Sequence, residues 1–98
     1  MTEESLLDQQ TRGQVSASLL ENELLKEALK AIKDEVSRQW LECPSRDHEG
    51  KEALWQLAKT AQKFENILIG YVETGKLATA ELARFEKESK LKRFLRRA

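Results

Sequence analysis

Cys43 and His48 stand five residues apart, with Asp47 and Glu49 on either side of the imidazole. A zinc-type centre needs three or four converging thiolate, imidazole or carboxylate ligands. The chain holds one cysteine and one histidine, so no second pair can complete such a set. A thiolate–imidazole nucleophile would need an orienting third group and donors for an oxyanion, and neither is legible. Carboxylates are plentiful, but they fall beside lysines on outward helix positions, the arrangement of a solvated surface. Gly75-Lys76 follows neither a strand nor a glycine-rich loop and so lacks the setting of a phosphate cradle. The expectation is a protein that is not an enzyme, with no metal site and no cofactor.

Two other groups have chemistry suited to binding. Lys90, Lys92, Arg93, Arg96 and Arg97 interleave with Leu91, Phe94 and Leu95 in a basic amphipathic segment. It suits nucleic-acid phosphates or an acidic protein surface, including the acidic first half of a second copy. In a plainer reading the bases answer the negative end of a helix dipole while the apolar residues pack inward. The interleaved aromatics of a base-stacking platform are missing. Trp40 and Trp55 are large anchors of the kind found in cores and subunit interfaces. Together with Ile69, Phe94 and Leu95 they make the expected protein-interface set.

The elements that carry these residues read as helices. Leu54, Leu57, Ala61, Phe64, Leu68 and Tyr71 recur every three or four residues, one apolar side of a helix. Leu25, Leu29, Ile32, Val36 and Trp40 form a matching stripe before the chain's one proline, Pro44. Proline disfavours helix at the residue before it, and Ser45 or Asp47 can cap the next helix. Folding the stripes together sets Val36 against Leu54, Ile32 against Leu57 and Ala58, Leu29 against Ala61 and Leu25 near Phe64. A buried Phe64 would cost about 3–5 kcal/mol on truncation to alanine. Ser18-Leu-Leu-Glu21 has capping-box spacing, and Thr74-Gly75 has the form of a helix stop. The expected fold is all-α: a long antiparallel, coiled-coil-like helical hairpin plus a third, basic C-terminal helix. Helices are expected over about 17–42, 47–73 and 78–96. They belong to a single domain over 16–98, preceded by a flexible segment over 1–15.

Composition narrows the class further. The 98 residues are 35% charged and 6% aromatic, with four glycines, which leans toward long helices rather than a sheet with many turns. The net charge of zero conceals an asymmetry. Residues 1–49 hold eleven acids against six bases, and residues 84–98 hold seven bases against two acids. Such opposed ends suggest an interaction tail or head-to-tail attraction between copies. No stretch approaches the roughly 20 apolar residues of a membrane span, and the acidic start lacks the plan of a secretory signal. One cysteine fits a reducing compartment.

Trp40, the run Asp47-His-Glu-Gly50-Lys51-Glu52-Ala-Leu54-Trp55 and the later Gly75-Lys76-Leu77-Ala78 resemble a group of small proteins encoded by tailed bacteriophages. Those proteins share a tryptophan before the turn, an acidic–glycine–basic–glutamate start to the next helix, and a Gly-Lys-Leu-Ala element after it. The similarity covers about residues 36–83. It implies a viral source, a place in the host cytoplasm or the virion, and no catalytic residues, the group being without assigned activity. By analogy with phage scaffolding proteins, it also implies that a basic helical end could grip an acidic coat.

The sequence therefore leads to a non-enzymatic helical interaction protein that self-associates and binds a phage structural or packaging protein during assembly, with no membrane attachment. The rival is a nucleic-acid-binding accessory protein, resembling a terminase small subunit, that uses the basic segment to touch DNA.

Overall fold

Asparagine, proline and aspartate punctuate this chain more sharply than its glycines do. The computed structural model describes residues 2–97 and is all-α. Helix α1 spans Glu3–Glu21, α2 spans Glu23–Glu42 and α3 spans His48–Arg97, with no strand among the described residues. Positions 1 and 98, which bound the expected segments 1–15 and 16–98, lie outside the described residues.

At Asn22 the backbone leaves helical geometry (φ −67°, ψ 120°), and the side chain accepts the Leu25 N–H at 3.0 Å, an N-cap that satisfies one orphan donor. Cys43 turns extended ahead of Pro44, its N–H donating to Gln39 O at 2.9 Å. Asp47 then caps α3 by accepting the Gly50 N–H at 3.0 Å.

These boundaries correct three expectations. The segment 1–15 is helical from Glu3 onward rather than flexible, and the capping spacing at Ser18 lies inside α1. The break falls at Asn22, whose side chain supplies the cap. No helix ends at Thr74-Gly75: α3 runs through it without interruption, and no glycine has positive φ. The separate third helix over 78–96 is the continuation of α3.

The chain divides into two compact units. The central unit is Ser18–Leu68; the terminal unit combines the chain up to Ala17 with the chain from Ile69 onward.

In the central unit, α2 and the first part of α3 lie side by side in antiparallel order. Lys51 Nζ donates to Trp40 O at 2.8 Å, and farther from the turn Lys33 Nζ approaches Glu65 Oε1 at 2.6 Å, though not in hydrogen-bonding geometry. Val36, Leu54, Ala61 and Leu68 are buried. The last three are spaced by seven, a heptad row. Leu57 and Phe64, expected beside them in the core, remain 47% and 46% exposed, and Ile32 is exposed as well. One helix against one helix covers a single row; the row beside it, about a sixth of a turn round, faces outward.

In the terminal unit the packing rests on small residues. A Cβ added at Gly13 would lie 2.8 Å from Gly75 Cα and 2.9 Å from Tyr71 O, both backbone atoms. Gly75, read from the sequence as a stop, is instead the place where two helix backbones touch. Its low helix propensity costs about 1 kcal/mol, and closer contact offsets that cost. Leu6, Ser16 and Ala78 are buried around the crossing. Gln10 Nε2 donates to Thr79 Oγ1 at 2.9 Å, which donates to Gly75 O at 2.9 Å. The Arg12 guanidinium lies 4.3 Å from the Tyr71 ring centroid.

Candidate interaction faces

The central unit brings Trp40 and Trp55 together. Trp40 sits in the last turn of α2 and Trp55 two turns into α3. Both line an open apolar groove of about 450 Å³ with Val36, Leu41, Leu54 and Ala58. Both indoles are exposed, and Leu41 on the rim is 85% exposed. Lys51 Nζ lies 4.2 Å from the Trp40 ring centroid, and Lys59 Nζ 5.4 Å from that of Trp55. Each cation rests on the negative face of an aromatic ring, so the groove has an apolar floor and a basic edge.

A second face of the central unit carries Leu57 and Phe64. Gln39, Ala53, Leu54 and Leu57 border one open cavity near the turn. Ile32 lies seven residues from Gln39 and Phe64 seven from Leu57, so both continue this face away from the turn. Ile67 and Leu24 extend it and are exposed. The sequence marks Leu24 and Ile67 as partly uncovered by the hairpin but places Leu57 and Phe64 in its core. The signal for the whole face was present, because the apolar positions of α3 fill two adjacent rows, more than one antiparallel neighbour can cover.

The outer edge of α2 carries a charge network. The Arg38 guanidinium donates to both Glu42 oxygens at 2.9 and 3.0 Å and pairs with Glu35, which also accepts from Gln39 Nε2 at 2.8 Å. Hydrogen bonds from Arg38 and then Gln39 pull the Glu35 carboxyl down from 4.5 to about 2, and the same pairs raise Arg38. Lys30 pairs with Asp34 at 2.7 Å, which raises the lysine. Among the described residues Glu27 and Lys63 take part in no ion pair, and both are exposed.

In the terminal unit, Ile69 is exposed at the start of its stretch of α3. Every described residue from Ala83 onward is exposed. Leu91, Phe94 and Leu95 are 58%, 68% and 62% exposed, so the tail's apolar residues do not pack inward. At helical spacing they share one side, while Lys92, Arg93, Arg96 and Arg97 occupy the rest of the circumference. Lys90 pairs with Glu86 at 3.3 Å. The expected interface residues therefore fall in two separate groups: Trp40 with Trp55 in the central unit, and Ile69, Phe94 and Leu95 in the terminal one.

Cys43 Sγ lies 3.8 Å from Asp47 Oδ2, and among the described residues no group of three or more His, Cys, Asp or Glu side chains converges on a metal-sized site. No described helix is long and apolar enough to cross a membrane. The sequence matches no family model, no curated protein and no solved structure.

Proposed function

We propose that this chain is a helical assembly protein that associates with copies of itself through its uncovered apolar helix rows and docks an acidic protein partner with its basic C-terminal stretch. The observation that carries this reading is the exposure of its large apolar side chains. Leu57 and Phe64 in the central unit, and Leu91, Phe94 and Leu95 in the terminal unit, keep from 46% to 68% of their surface in solvent. Scattered exposed leucines are ordinary, whereas contiguous rows mark surfaces that meet another molecule. The tail adds charge to that pattern, its bases flanking the apolar side and favouring an acidic surface. The resemblance carried by Trp40, Asp47–Trp55 and Gly75–Ala78 sets this role in the particle assembly of a tailed phage, in the host cytoplasm or the virion.

The test is solution mass measured across protein concentration and salt. Self-association that strengthens with concentration and survives moderate salt supports the reading; a monomer at all concentrations refutes it.

A second reading, DNA binding by an accessory packaging component, draws on one feature: residues 90–97 contain five bases and no acid. It requires duplex binding that weakens steeply with salt and is lost when Arg93, Arg96 and Arg97 become alanine. Retained binding in that triple variant would remove the tail as the contact.

A further inference from the structure

We infer that the face bearing Ile32, Leu57 and Phe64 is a two-fold interface between copies, in which α2 of each copy lies along α3 of the other. This inference rests on the self-association proposed above and specifies its surface and arrangement. The face is made by the central unit alone. Its apolar strip runs from Ala53 and Leu57 through Phe64 to Ile67 on α3, beside Leu24, Ala28 and Ile32 on α2, all of them exposed. Lys51 against Trp40 and Glu65 beside Leu25, Lys26 and Leu29 fix the height at which the helices match, so Phe64 lies near the level of Ala28, and Ile32 lies between the levels of Leu57 and Phe64. A second copy brings the same strip, with leucine, isoleucine and phenylalanine at the same heights. Four antiparallel helices around a shared apolar centre is the packing such strips allow.

The charges choose between the two ways of forming a two-fold pair, which is isologous by symmetry. The outer edge of α2 carries Glu27, Glu35 and Glu42 with Arg38 as its one base, whereas the charged residues of α3 from Ala53 to Ile67 are Lys59, Lys63 and Glu65, the last already paired with Lys33 of its own chain. If α2 faced α2 of the second copy, acidic edge would meet acidic edge and Lys63 would approach Lys63. If α2 faces α3, the acidic edge meets Lys63 at both symmetry-related contacts. Glu35 and Glu42 are held by Arg38. That leaves Glu27 as the carboxylate on this edge available to Lys63 of the second copy. Glu27 and Lys63 are both exposed and neither is held by an ion pair among the described residues of its own chain, so both are free to pair across the interface.

The experiment is sedimentation equilibrium of the full chain and three variants, with far-UV circular dichroism to confirm helix content. Phe64→Glu should leave a helical monomer at concentrations where the parent chain is a dimer. Lys63→Glu, at an exposed position, should raise the dimer dissociation constant roughly tenfold, about threefold from each symmetric contact. Adding Glu27→Lys to Lys63→Glu should recover most of that loss. If Phe64→Glu loses its helix content, the charge variants decide alone. Unchanged or tighter association in Lys63→Glu, or no recovery in the double variant, overturns the α2-on-α3 arrangement. Undiminished association of a helical Phe64→Glu variant overturns the face itself. A parent chain that is monomeric throughout would refute the proposed function, an outcome distinct from an associating parent that ignores all three changes.

Discussion

The two units join helices by opposite means. In the terminal unit α1 and α3 meet through Gly13 and Gly75, where the absence of side chains lets one backbone rest on the other. In the central unit α2 and α3 meet through Val36, Leu54, Ala61 and Leu68, where side chains fill the space between backbones. A crossing of the first kind tolerates no added atom, because the neighbour is backbone and cannot swing aside. A seam of the second kind is hurt by removal, since lost methylene groups leave a gap that neighbouring side chains only partly close. The larger residues of the second kind have a further consequence. Placed on two adjacent rows, they outnumber what one neighbouring helix can cover, and the surplus becomes surface.

The largest effect should come from adding atoms to the glycine crossing. Gly13→Val should destabilise the fold by about 3 kcal/mol or more, read from chemical denaturation, because its Cβ alone would collide with Gly75 Cα and Tyr71 O and the methyls add to this. Gly70, on the same helix as Gly75, is the control: a Cβ there meets nothing within 4 Å. Gly70→Ala should therefore stabilise by up to about 1 kcal/mol through helix propensity. Equal effects at Gly13 and Gly70 would show that close backbone contact does not set the terminal unit.

Removal should discriminate within the central unit. Leu54→Ala takes away a side chain that is 8% exposed and should cost about 3 kcal/mol. Phe64→Ala should cost only about 1 kcal/mol in the dissociated chain, since nearly half of that residue is already in water. The gap should close as concentration rises if association buries the ring. Equal costs at high dilution would put Phe64 back in the core, where the seam alone had suggested it belonged.

That misassignment shows where sequence reading stops. The all-α class was legible, as were the helix end before Pro44 and a cap at Asp47, because each is written in local chemistry: helical spacing, a missing N–H, a short carboxylate. The split of the apolar seam into a buried row and an uncovered one was not, because Leu57 and Leu54 differ only in angle around the helix, and that angle means nothing until the neighbour's position is known. Gly75 misled for a related reason. A glycine after a threonine serves a helix stop and a helix crossing equally well, and what distinguishes them is Gly13, 62 positions away in the chain. Gly13 itself lies in a polar stretch whose one apolar anchor at heptad distance is Leu6. Asn22 escaped notice because the apolar rhythm continues across it, although an asparagine three residues before Leu25 is a legitimate cap. Of the candidate site residues, Trp40 and Trp55 do share a groove. The tail residues Phe94 and Leu95 stay exposed, outside the chain's own packing.

The smallest expected effect concerns acid, and it again separates the two units. The charge network on α2 depends on an ionised Glu35, whose carboxyl is drawn from 4.5 to about 2 by Arg38 and Gln39. A carboxylate lowered on folding contributes stability that is present above its ordinary value and lost as pH falls through its folded value. The contribution should therefore fade between about pH 4.5 and 2, and Glu35 is exposed, so screening keeps it modest. The contacts around the glycine crossing include no carboxylate: Gln10, Thr79, the Gly75 carbonyl, Arg12 and Tyr71 carry them. In that acid window, amide hydrogen exchange, corrected for its intrinsic pH dependence, should quicken along the last turns of α2 while the amides around Gly13 and Gly75 keep their protection. Carbon-detected titration of the Glu35 carboxyl should give a midpoint near 2. A midpoint at its ordinary value would mean that Arg38 serves Glu42 alone, leaving Glu35 on the same edge of α2 as Glu27, free to meet Lys63 of another copy.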